Sequence, residues 1–160
     1  MANPLEWENK NALLIQGSVS VASKVKTAPG GVPKWIRDAT LGDSDKSFTV
    51  PEGKIWDIRA IYVKYGSSAT AGNRLLKVRF DLDTDTLFEN NAFAVQPEST
   101  VYKYLLHPSV VVDVSTPNQC QPIPPALLTA GMKIRVYDGS VIDAAADDID
   151  VTLHVIEYDA

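Results

Sequence analysis

The residue types that carry most enzyme chemistry are scarce and scattered in this sequence. Only two histidines occur: His107 stands directly before a proline, and His154 lies within an alternating run, on the face opposite Val151, Leu153 and Val155. Neither has a second imidazole or a thiolate at ligand spacing, so the donor set of a zinc or transition-metal site is missing. The one cysteine, Cys120, has no partner for an internal bridge, and its setting Asn118-Gln119-Cys120-Gln121-Pro122 contains no redox or metal motif. It reads as a small, semi-buried residue. The serines sit in turn-like sequences without a strand-to-helix nucleophile elbow, and no glycine-rich stretch leads into a helix that would cradle phosphate. Carboxylates are plentiful, but their spacing singles out no acid and base pair. Asp81-Leu82-Asp83-Thr84-Asp85 has the alternate carboxylates that open a calcium loop. An EF-hand, however, needs Gly at the sixth position and a bidentate Glu at the twelfth, where this chain has Thr86 and Ala92. The stretch reads as a solvated turn at a strand end. The expectation is therefore a protein with no catalytic residues, no metal ligands and no cofactor.

Length and composition restrict the rest. A chain of 160 residues suits one domain, or one domain with an arm, and buries roughly two thirds of its unfolded surface. Hydrophobic residues make up 45% and charged residues 22%, which is ordinary for a folded protein and unlike a disordered one. The net charge of −5 argues against nucleic acid as the main partner, because phosphate binding needs a basic face that releases counterions. No run approaches the ~20 apolar residues of a membrane helix, and the N-terminal residues lack a leader pattern. The reading is of a soluble chain made in a cytoplasm. No Lys or Arg follows Arg135, so an acidic C-terminal block stands against a more basic middle and invites docking to a basic surface on a partner.

The elements that must position any site are strands. Residues 55–65 contain Ile55, Trp56, Ile58, Ile61, Tyr62, Val63 and Tyr65, the β-branched and aromatic types that suit a pleated surface, bracketed by Gly53 and Gly66. A strict period of two puts Trp56, Ile58, Ala60 and Tyr62 on one buried face. Residues 74–81 alternate again, with Leu76, Val78 and Phe80 opposite Lys77 and Arg79, and the intervening loop is expected to join the two runs as one hairpin. Further alternations follow at 100–106, 133–137 and 149–158, with turn chemistry at 89–91 and a bend closed by Gly131. The four prolines in 116–125 predict an extended surface connection outside any ladder. About eight short strands with no amphipathic helix give an all-β fold, an antiparallel β-sandwich, and the long connection favours a jelly roll.

At Val50-Pro51-Glu52-Gly53-Lys54-Ile55-Trp56, followed by Ala69-Thr70-Ala71-Gly72-Asn73-Arg74 and an alternating strand, the chain resembles β-rich virion structural proteins of tailed bacteriophages, the accessory class that includes head decoration or cement proteins. That resemblance implies a non-enzymatic subunit located in the virion after assembly in the host cytoplasm. Its implied partners are the major capsid protein or other virion proteins, in the head, neck or tail.

The first 46 residues differ from the rest and are read as an N-terminal arm with one edge strand, preceding a body at 47–160. A short alternation at 13–25 is stopped by Pro29-Gly30-Gly31-Val32-Pro33. Leu5, Trp7, Trp35 and Ile36 are apolar groups between breakers and must bury against some surface. They are the candidate partner-binding residues, on the subunit's own neighbour in a homo-oligomer such as a trimer or on another virion protein. A second function class fits the same aromatics: a carbohydrate-binding sandwich in which Trp7, Trp35 or the tyrosines stack on sugar rings.

Overall fold

The computed structural model describes residues 30–92, 94–140 and 142–160; Leu5, Trp7 and the alternation at 13–25 lie outside the described residues. Among the described residues the chain forms ten strands: β1 (Val32–Asp38), β2 (Asp45–Thr49), β3 (Lys54–Gly66), β4 (Leu76–Leu82), β5 (Asp85–Asn91), β6 (Val101–Leu106), β7 (Asn118–Gln121), β8 (Leu127–Thr129), β9 (Lys133–Asp138) and β10 (Asp148–Asp159). One sheet has the order β1-β10-β3-β6-β7, with β8 also paired to β3, and the other has the order β2-β9-β4-β5. Every pairing is antiparallel except β6 with β7. Strands β1-β10-β3-β6 and β2-β9-β4-β5 have the order of an eight-stranded jelly roll, in which the chain passes repeatedly between two facing sheets. The all-β sandwich expected from the sequence is the fold observed.

Period-two burial builds the core. Phe48, Leu76, Val78, Phe80, Ile134 and Val136 of the second sheet face Trp56, Ile58, Ile61, Val63, Tyr65, Tyr102, Tyr104, Ile149, Val151, Leu153 and Val155 of the first. In β3 the alternation changes phase once. His154 pairs with Ala60 and Val155 with Ile58, so Arg59 is an extra residue in β3, a β-bulge. Trp56 and Ile58 point inward before it; Ile61, Val63 and Tyr65 point inward after it. The strict alternation expected from the sequence therefore holds for Trp56 and Ile58 and fails at Ala60 and Tyr62, which lie on the outer face, with Tyr62 exposed.

Three other expectations are corrected. β3 and β4 are not a hairpin: they belong to different sheets, and the loop 67–75 crosses the end of the sandwich between them. Gly72 makes this crossing with φ 140°, where a Cβ would also meet the Ile142 side chain at 2.5 Å. The proline-rich stretch carries β7, whose parallel pairing with β6 uses only Asn118–Gln121, between the prolines rather than through them. Residues 89–91 continue β5 instead of turning.

The boundary at residue 46 also moves. β1 pairs with β10 along its whole length and β2 starts at Asp45, so residues 32–38 and 45–46 are built into the two sheets. They belong to the unit Gly31–Ala160. The prolines that suggested an arm are compatible with this, because β1 is an edge strand, where a missing donor at Pro33 is tolerated.

Candidate functional site

Two constellations stand out once the strands are in place: a buried polar cluster at one end of the sandwich, and the outer face of the first sheet. The buried cluster is centred on Arg74 and Asp147, both fully buried. Arg74 Nε and Nη2 donate to the Asp147 carboxylate at 2.9 and 3.2 Å, Nη1 donates to the carbonyls of Thr70 and Gly72 at 2.7 Å each, and Nη2 also donates to Ser68 Oγ at 2.9 Å. All five guanidinium donors are engaged. Asp147 further accepts from Ser68 N at 2.7 Å and from the Tyr65 hydroxyl at 3.1 Å. Burial opposes its ionisation, but the bonds from Arg74, Ser68 and Tyr65 outweigh this and hold its pKa below the ordinary carboxylate value. Tyr65 is pushed far above the ordinary phenol value, first by burial and then by the charges of Asp138 and Asp147. Gln96 joins the same end, donating to the carbonyls of Tyr65 and Thr100 and accepting from the Tyr104 hydroxyl at 3.2 Å. This network ties the loop 67–75 to the segments entering β6 and β10. With its donors engaged inside the protein, it is a staple for the crossing loops.

The two outer faces differ sharply in chemistry. On the second sheet three ion pairs lie on the outer face, Arg135 with Asp45, Arg79 with Asp81 at 2.8 Å, and Lys77 with Glu89 at 3.1 Å, while Lys133 and Asp85 are exposed with no ion pair among the described residues. The Tyr137 hydroxyl donates to Glu89 at 3.0 Å while the guanidinium groups of Arg79 and Arg135 lie over its ring. Hydrogen bonds from Lys77 and Tyr137 hold Glu89 below its ordinary pKa. This face is a polar ladder well suited to water.

The outer face of the first sheet has an apolar centre instead. Register places Trp35 beside His154 and His154 beside Ala60. The Trp35 and His154 rings stack with centroids 4.2 Å apart and planes within 7°, yet Trp35 remains 69% exposed. The next row across five strands is Arg37, Thr152, Tyr62, Leu105 and Cys120, with Tyr62 40% exposed. Beside it run Asp150, Lys64, Lys103 and Asn118. Arg37 clasps Asp150 at 2.7 and 3.0 Å and lowers its pKa, but no ion pair of Lys64 or Lys103 is present among the described residues. Like charges placed directly opposite in a sheet repel. Lys64 stands opposite Asp150 and its charge also helps to lower that pKa; an aromatic and aliphatic centre with two lysines outside any ion pair at its rim has the composition of an interaction surface.

No family model and no curated protein sequence matches this chain. Among solved structures it is similar to a turnip yellow mosaic virus chain at 10% identity and a TM-score of 0.38, covering 82% of each chain. It is also similar to a chain of the infectious bursal disease virus Gx strain at 7% identity and a TM-score of 0.37, covering 81% of this chain and 37% of that one. A third similarity, at 11% identity and a TM-score of 0.30, is to a Clostridium thermocellum endo-1,4-beta-D-xylanase 10B structure, covering 82% of this chain and 26% of that one.

Of the four residues expected to bind a partner, Trp35 lies on this exposed face and Ile36 points the other way, packed against the core. Leu105, Lys64 and Lys103 were not singled out by sequence reasoning, and Tyr62 was placed on the buried face. The bulge at Arg59 turns Tyr62 outward, and a bulge leaves no composition signal. The stretch that suggested a calcium loop is the tip of the β4–β5 hairpin, where Asp81 is buried against Arg79, and Asp83, at φ 53°, is exposed at the turn.

Proposed function

We propose that this chain is a non-enzymatic structural subunit of a virion, a head decoration protein of the tailed-phage class, which attaches through the outer face of its first sheet. The observation that carries this reading is the contrast between the centres of the two faces: one is crossed by three ion pairs around Tyr137, the other holds the exposed Trp35 and Tyr62 rings with Lys64 and Lys103 beside them. The sequence resemblance at 50–56 and 69–74 supplies the virion class, and the jelly-roll connectivity is compatible with it, although a fold by itself assigns no function. In this reading the partners are the major capsid protein or other virion proteins, including further copies of the chain. The test is co-sedimentation with tailed-phage heads stripped of accessory proteins. Binding that saturates at a fixed number of copies per head supports decoration, and absence of binding contradicts it.

A second reading is favoured by one observation. The exposed Trp35 indole and Tyr62 share one flat face, an arrangement on which sugar rings stack. A glycan array separates the two readings, since specific glycan binding without head binding would make the chain a carbohydrate-binding module.

A further inference from the structure

The proposed attachment face leaves open what covers it. The chain carries a surface complementary to this face: the tip of the hairpin formed by β4 and β5. There Leu82 and Asp85 pair across the turn, with Asp83 at its corner. Leu82 and Leu87 are 41% and 53% exposed, and Asp83 and Asp85 are exposed with no ion pair among the described residues. Exposed leucines beside two carboxylates outside any ion pair are the counterpart of an apolar centre beside two lysines outside any ion pair. The dimensions agree as well. Directly opposed strand residues such as Lys64 and Lys103 have Cβ atoms about 5 Å apart, and Asp83 and Asp85, two residues apart, are separated by at most about 7 Å along the chain.

We propose that the outer face of the first sheet, at Tyr62, Leu105, Lys64 and Lys103, receives the β4–β5 hairpin tip of a second copy. This rests on the reading of that face as an assembly surface and names its occupant. The contact is heterologous: face and tip are different patches, so each copy offers one of each and copies join head to tail into a ring or an array. Leu82 and Leu87 cover the apolar centre, and Asp83 and Asp85 add opposite charge to a lysine pair that the isolated subunit compensates only from the Asp150 side of Lys64. A hairpin tip is a small contact, so ring closure or a particle surface strengthens it by multivalency.

The experiment is sedimentation velocity on the full chain over a concentration series, with two charge-reversed variants: Lys64→Glu with Lys103→Glu, and Asp83→Lys with Asp85→Lys. All four positions are exposed, and thermal melts verify that both variants fold like the parent. The wild type is expected to associate with rising concentration, and each variant alone to sediment as a monomer, because its own face and tip then carry like charge. An equimolar mixture of the two is expected to associate again, since each face then meets a tip of opposite sign. A wild type that stays monomeric, a variant that associates like the wild type, or a mixture that stays monomeric overturns the proposal. Head binding by the same wild-type sample is scored separately. A monomer that binds heads removes this contact and keeps the attachment reading, whereas an oligomer that ignores heads does the reverse.

Discussion

Arg74 and Asp147 show how a buried charge pair fixes the architecture. Breaking such a pair from one side leaves an unpaired buried charge, so Asp147→Asn or Arg74→Met should cost about 3–5 kcal/mol, read from denaturant midpoints. The depressed pKa of Asp147 also sets a pH dependence. A carboxylate whose folded pKa lies below its unfolded value stabilises the fold above that unfolded value, about 4, and this stability is lost as pH falls through the folded pKa. Tyr65 works in the opposite direction: its raised pKa gives stability that is complete below an unfolded value of about 10 and declines as pH rises beyond it. Stability should therefore fall below pH ~4 and above pH ~10, and the acid limb should flatten in Asp147→Asn. Trp56 is buried and its Nε1 donates to the carboxylate of Glu157 at 2.9 Å. Trp56→Ala should cost roughly 3–5 kcal/mol, and a parent-like melt would contradict its place in the core.

At the scale of elements, the bulge at Arg59 decides which half of β3 faces which way. Tyr62→Lys should change stability by less than about 0.5 kcal/mol, as exposed substitutions do. Ile61→Lys buries a charge and should abolish a cooperative melt. The reverse result would restore the uninterrupted alternation. β1 makes a related prediction. A chain shortened to begin at Lys46 lacks β1 and exposes the edge of β10, so it should lose the parent's cooperative transition, measured by circular dichroism. These cases also show what the sequence made legible. Alternation at Leu76, Val78 and Phe80 and at Ile149, Val151, Leu153 and Val155 is a local signal, and those sides are buried; at 100–106 the alternation was legible, but its apolar content on both sides did not tell that Tyr102, Tyr104 and Leu106 are the buried side. The partner of each strand is a long-range fact. The crossing of 67–75 between sheets depends on Arg74 meeting Asp147, 73 residues away, and no local pattern records that meeting. Pro33 suggested an arm because a proline in a short edge strand and a proline in a loop have the same sequence signature.

Across the whole molecule, charge is distributed by face rather than evenly, and this distribution underlies the functional account. The net charge is −5, while Lys64 and Lys103 form a local basic rim beside Tyr62 and Leu105. The candidate surface was only partly legible in the sequence. Trp35 was identified because an indole between breakers needs a partner surface, but its stacking on His154 joins positions that are 119 residues apart. The account's central claim, that the outer face of the first sheet is the attachment surface, is tested most directly by co-sedimentation with stripped phage heads. The wild type is compared with Trp35→Asp on that face and Tyr137→Ala on the opposite one. The account predicts that the wild type and Tyr137→Ala pellet with the heads, and that Trp35→Asp stays in the supernatant while keeping a cooperative melt. Pelleting of Trp35→Asp to the same extent as the wild type would contradict it.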